Sequence, residues 1–185
     1  MIWIIGSSSD YSKAVANEFV NVKTFGRHNI DYKQPFDKFI AKQKEMPNKI
    51  FINIRAEQDF AVDIDSSDKA YKKMLEDFLP IWLWKIRLYS YFYKQKIECT
   101  ICEVTSSITY WTYRHRQNMP YASLRSISQQ TALAHNTDIL TVFQVSPDNI
   151  TKDNTLLYAK RTADWMNNSR QVANKIVELE GNTIL

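Results

Sequence analysis

The chain has 185 residues, 44% of them hydrophobic and 24% charged, with a formal net charge of +4. That length builds one domain with a proper core and leaves too little for two. A mild, dispersed positive charge admits an anionic ligand but does not argue for nucleic acid, and the globular composition excludes a disordered or fibrous chain.

Ile2 to Ile5 is a short apolar run that predicts a first strand, followed by the turn GSSSDYSK and by Ala14 to Val20 at helical spacing. A helix N-terminus gathers unpaired N–H groups and the positive end of the helix dipole, so this unit is a candidate phosphate cradle. Its serines and Asp10 serve equally well as ordinary N-caps. Val22 to Phe25 predicts a second strand ending at Gly26-Arg27, and Asp31-Tyr32 follows with no room for a helix between. Phe36 to Lys44 predicts a short amphipathic helix and Lys49 to Ile54 a buried strand. Asp63 to Asp68 reads as an acidic linker capping a long helix from about Lys69 through Leu75, Leu79, Trp82 and Ile86 toward Tyr93, although Trp82 to Tyr93 also alternates as a strand does. Lys85 and Arg87 interrupt its apolar part, so it is not expected to span a membrane. A strand at Thr100 to Val104, a helix at Tyr121 to His135, a strand at Ile139 to Val145 ending in Ser146-Pro147, and a last helix at Ser169 to Leu179 complete the prediction.

Strands that read as continuous apolar runs, alternating with helices, predict a doubly wound parallel α/β domain over residues 1–185. Ligands in such folds sit beyond the carboxyl ends of the strands. Gly6 to Ser12, Arg27, Asn53 to Ala56, Ser106-Ser107 and Ser146-Pro147 all fall at such ends. Cys99 and Cys102 lie three apart in one strand and so point to opposite faces. No second Cys or His pair stands at zinc spacing, so two buried thiols, no metal and a reducing, cytoplasmic compartment are expected. Met1 to Ile5 is too short for a signal peptide. If Tyr121 opens its helix, Arg125 lies one turn later on the same face. A cation beside a phenol favours the phenolate, which suits a general acid or base acting on a carbonyl or alcohol.

In order and spacing the chain resembles the short-chain dehydrogenase/reductase family along nearly its whole length, above all small members that lack the second crossover helix. The resemblance rests on GSSSDYSKAVANEF, on GR then D after the second strand, on INIRA, on TSS then YASLR, on VSPDNI and on RQVANKIVEL. It implies a Rossmann-like fold and hydride transfer between NAD(P) and a carbonyl or hydroxyl group. It assigns Tyr121 as the catalytic tyrosine, Ser107 as the carbonyl-binding serine with Ser106 the alternative, and Arg125 in place of the family's lysine. Arginine supplies that lysine's charge but does not release a proton at working pH. Gly6 matches the first glycine of the cofactor turn, which also contains Ser7, Ser8 and Ser9, while Asp10 and Ser12 replace its second and third glycines. Arg27 matches the position that takes the 2′-phosphate of NADP, which favours NADP(H) over NAD. Asp31 matches the position near the adenine, Asn53 the first Asn of the third motif, and Pro147 the proline of Pro-Gly, whose glycine is Asp148 here. Leu79 stands where many relatives carry an Asn on the long helix, and the family often continues past its last helix with a further strand.

Two classes of function follow. One is an oxidoreductase acting on a small carbonyl or alcohol, as a homodimer or higher homo-oligomer. The other is a non-catalytic protein of the same fold that binds a nucleotide weakly, or no cofactor at all, and works through a protein partner. Its candidate surface is the aromatic helix Trp82 to Tyr93, whose rings a homodimer would otherwise bury. A nucleic-acid module built on Tyr110 to Arg116, YWTYRHR, has stacking and basic side chains but only one short loop to offer.

Overall fold

The structure is a computed structural model that describes residues 1–26, 29–54, 72, 75–76, 79–105, 129–147 and 150–179. Strands β1 (Ile2–Ile5), β2 (Val22–Phe25), β3 (Lys49–Ile52), β4 (Cys99–Val104), β5 (Leu140–Pro147) and β6 (Ile176–Leu179) form one sheet. Their order is β2-β1-β3-β4-β5-β6, and every neighbouring pair is parallel. The chain steps outward from β1 to β2, then returns to the other side of β1 for β3. The crevice between β1 and β3 is therefore the topological switch point, where ligands of such sheets bind.

Alternating side chains feed two cores. Trp3, Ile5, Ile50, Ile52, Ile101 and Val142 face helices α2 (Phe36–Ile40) and α3 (Leu79–Lys94). Ile2, Ile4, Phe51, Phe143 and Val145 face α1 (Asp10–Asn17) and α4 (Thr155–Asn167). Cys99 joins the first core and Cys102 the second, as their spacing requires. Trp3 is fully buried and meets Phe25, Phe39 and Phe92 edge to face, with ring centroids 5.4, 5.8 and 6.3 Å away.

The helix expected over Ser169 to Leu179 is not there. A short 3-10 turn, Ser169–Gln171, leads through Asn174 at φ 59° into β6, which pairs with β5 in parallel register. Ile176 and Val177 are β-branched, and joining the sheet edge suits them better than a helix does. The crossover helix is instead α4. Its buried positions Thr155, Tyr158, Ala159, Thr162, Ala163 and Met166 keep helical spacing, but with residues too weakly apolar to stand out in the sequence. The strand with which the family often continues past its last helix has its counterpart here in β6.

The predicted helix over Tyr121 to His135 is represented by residues 129–134, which are helical. The aromatic rings of α3 do not form an exposed surface. Trp84, Tyr89 and Phe92 are buried in the first core, leaving Leu83 and Tyr93 as its exposed apolar residues. Among the described residues no helix is long and apolar enough to cross a membrane.

Candidate functional site

The turn after β1 is built around Gly6. Its φ of +85° lies in the left-handed region, and a Cβ there would run into the Asn53 carbonyl oxygen and come within 2.8 Å of its carbon. Only glycine lets the ends of β1 and β3 approach this closely. The Gly6 and Ser7 amides both donate to the Phe25 carbonyl, at 2.8 and 3.2 Å, and the Asn53 amide donates to the Ile5 carbonyl at 2.8 Å. Three strand ends are tied together at the switch point.

A side-chain network lies over this knot. Ser9 is the N-cap of α1 and its Oγ accepts from the Ser12 amide at 3.0 Å, satisfying a first-turn donor. The Asn53 amide nitrogen donates to Ser9 Oγ and to Ser12 Oγ, each at 2.9 Å, and Ser9 Oγ donates to Ser12 Oγ at 2.9 Å. Ser12 and Asn53 are buried, Ser7 and Ser9 half-buried, and Ser8 exposed. Asn53 Oδ1 is buried without a partner among the described residues.

Ser12 therefore does not block the position its glycine counterpart would leave open. Its hydroxyl turns inward to Asn53, where the family's third glycine serves helix–strand packing. Asp10 points away from the crevice, its side chain 85% exposed and 3.4 Å from Lys13 Nζ. It lines a cavity between α1 and α4 with Lys13, Thr151 and Thr155. The mouth of the turn is thus Gly6, Ser7 and Ser8, at the positive end of an eight-residue helix.

The other expected site residues are distributed along the same edge. Pro147 ends β5, half-buried and opposite Leu179, three strands from Gly6 and so about 14 Å away at the usual strand spacing. Asp31 is exposed in the turn beyond β2, where its Oδ1 accepts from the Lys33 amide at 3.1 Å. Arg27, Ser106, Ser107, Tyr121 and Arg125 lie outside the described residues, as does the loop Tyr110 to Arg116.

A second polar cluster escaped the sequence reading. Lys85 Nζ of α3 donates to Glu103 Oε2 of β4 at 3.2 Å, with the two side chains only 10% and 4% exposed. Gln144 Nε2, on the residue of β5 paired with Glu103, donates to the same oxygen at 3.3 Å. One step nearer the carboxyl edge, Thr105 Oγ1 accepts from Gln129 Nε2 at 2.7 Å, while Ser146 Oγ is buried without a partner among the described residues. The readable signal was a charged or amide residue inside each of three apolar runs, CTICEV, LTVFQVSP and the long aromatic helix. The ion pair clamps α3 to β4 and β5 just below the strand end from which the chain continues to Ser107.

The thiols of Cys99 and Cys102 are pushed well above the ordinary range by burial. Among the described residues no cluster of His, Cys, Asp and Glu could hold a metal ion.

No family model and no curated protein sequence matches the chain. Solved structures do. An acetoin dehydrogenase from Salmonella typhimurium superposes with a TM-score of 0.67 at 13% identity, over 98% of this chain and 95% of that one. A 7α-hydroxysteroid dehydrogenase, complexed with NADH and 7-oxo glycochenodeoxycholic acid, gives 0.70 at 13% identity over 99% and 93%. A 4-hydroxyisoleucine dehydrogenase complexed with NADH and succinate gives 0.65 at 14% identity over 98% of both chains. The chain shares the fold of these dehydrogenases.

Proposed function

We propose that the protein is a short-chain-type oxidoreductase that binds a nicotinamide dinucleotide along the carboxyl edge and reduces or oxidises a small carbonyl or alcohol. The observation that carries this reading is the state of the turn after β1. Ser12 is turned into the Asn53 network and Asp10 is turned out to solvent, so neither replacement fills the mouth at Gly6. The residues present fit a dinucleotide. Gly6, Ser7 and Ser8 and the α1 N-terminus suit the pyrophosphate, and Arg27 suits a 2′-phosphate, which favours NADP(H). Asp31 belongs at the adenosine end, and Asn53 Oδ1 offers an unmet acceptor in the crevice. Pro147 borders the nicotinamide end. When bound, the cofactor supplies the hydride. Tyr121 then donates or takes the substrate proton, Arg125 favours its phenolate form, and Ser107 holds the substrate oxygen by a hydrogen bond. The dehydrogenases with this fold whose complexes contain NADH support the class of cofactor. A homo-oligomer formed through α3 belongs to the same reading, supported by Leu83 and Tyr93 on its exposed side. So does a cytoplasmic location, supported by two free thiols.

The test is a titration with NADPH and separately NADH, read by tryptophan quenching and energy transfer to the reduced nicotinamide. Saturable binding is expected, tighter for NADPH, with the preference lost in Arg27→Ala. Turnover of carbonyl substrates should then be abolished in Tyr121→Phe while binding persists. No binding of either nucleotide at millimolar concentration overturns the reading.

A further inference from the structure

We propose that the outer edge of β2 and the basic groove beside it dock an extended acidic segment of a partner protein, which joins the sheet as its next strand. β2 is the edge of the sheet, and among the described residues no strand lies outside it. The Ile2 amide donates to Asn21 O and the Gly6 amide to Phe25 O, so in a parallel pair the odd-numbered residues of β2 turn their backbone groups toward β1. Val22 and Thr24 therefore turn theirs outward, and Thr24 is exposed. This is a template for β-strand addition, in which main-chain hydrogen bonds give affinity and alternate side chains give specificity.

The side chains beside the edge define the guest. A groove of about 560 Å³ runs between β2 and α2, with Phe25, Pro35 and Phe39 in its apolar part and Lys23, Lys38 and Lys42 along it. Among the described residues Asp31 is the one carboxylate that lines it, and that group is engaged by the Lys33 amide. Lys23 Nζ lies 5.6 Å from the centre of the Phe25 ring, which holds the charge over the groove rather than out in solvent. An added strand would point every second side chain into this groove, so carboxylates alternating with apolar residues match it. A second copy of this chain matches poorly, because edge-to-edge pairing brings lysines against lysines. The groove borders the proposed cofactor site only at Asp31, since Ser9, Ser12 and Asn53 do not line it, and Lys38, Lys42 and the outward edge at Thr24 take no part in the oxidoreductase reading.

The experiment uses the full chain and a fluorescein-labelled peptide of alternating aspartate and valine, about eight residues long. Fluorescence anisotropy should show saturable, salt-sensitive binding, weakened about tenfold by the double variant Lys38→Glu/Lys42→Glu. Thr24→Pro, which removes an outward N–H at an edge where proline is tolerated, should abolish binding without changing the circular dichroism spectrum. Amide exchange at Val22 and Thr24 should slow in the complex. Several outcomes overturn the proposal: no binding, equal binding of a lysine–valine peptide, or undiminished binding by the double lysine variant. Displacement of the peptide by a single-stranded DNA oligonucleotide, or by self-association that Thr24→Pro abolishes, assigns the edge to another occupant and overturns it too.

Discussion

Replacing Gly6 by alanine tests the closure of the switch point directly. Two costs combine. A non-glycine residue held at φ +85° is disfavoured by about 1–3 kcal/mol. The new methyl group also meets the carbonyl of Asn53, a backbone atom pinned by its own amide's bond to Ile5 O, so relief requires parting β1 from β3. Overpacking of a rigid site costs about 1–3 kcal/mol more. The expected loss is about 3–5 kcal/mol, which for a chain of this size lowers Tm by about 6–20 °C. Thermal unfolding followed by circular dichroism measures it. Gly26→Ala is the internal control. Its Cβ would meet the Oδ1 of Asn29 at 2.9 Å, a side-chain atom that can move, and the expected loss is about 1 kcal/mol. A Gly6→Ala protein that melts within about 3 °C of its parent, or no lower than Gly26→Ala, refutes the reasoning about the crevice.

Asn53→Ala deletes the amide nitrogen that donates to both Ser9 and Ser12 and should cost about 2–3 kcal/mol in urea denaturation, with faster amide exchange in the first turn of α1; an unchanged midpoint contradicts the network. Lys85→Met should cost about 3–5 kcal/mol because it removes the cation facing the buried Glu103 carboxylate, Glu103→Leu should also destabilise, and the double variant should recover at least about 1 kcal/mol of the sum. Strict additivity would show that the pair does not interact. Cys99 and Cys102 should resist a thiol reagent at pH 8 until the protein unfolds. Because burial raises their folded-state pKa, their contribution is full below the ordinary thiol value of 9.0 and declines above it. The decline is at most about 1.4 kcal/mol per pH unit for each thiol, and it should flatten in the double Cys→Ala variant.

The strands of this fold could be read because the sheet is covered on both faces. Ile2 to Ile5, Lys49 to Ile52 and Cys99 to Val104 are nearly uniform apolar runs, and only two helical layers require that of a strand. The last crossover could not be read for the converse reason. α4 seats its buried face with alanines, threonines, one tyrosine and one methionine, a mixture without a plain apolar stripe, while the more apolar KIVEL run turned out to be the strand. At the site, Gly6, Ser9, Ser12 and Asn53 were recognisable because a turn at a switch point needs particular backbone and cap chemistry. Their mutual bonds were not, since Ser12 and Asn53 are 41 residues apart. Lys85, Glu103 and Gln144 were hidden for a similar reason. Each looks like a blemish in an apolar run until the register of β4 and β5 places Glu103 beside Gln144.

The parallel order of the sheet also bears on how the chain reaches this state. No neighbouring pair of strands can form as a hairpin, and the central pair β1–β3 joins residues 47 apart, as with Ile5 and Ile52. Loops of that length must close before any contact rewards them, so folding should be slow, on the order of milliseconds to seconds. Trp3 touches rings from β2, α2 and α3 at once, and its surroundings are complete only when all three have docked. Its emission is therefore a built-in clock for the last step of assembly, and a partly assembled chain would still present unpaired strand edges to its neighbours.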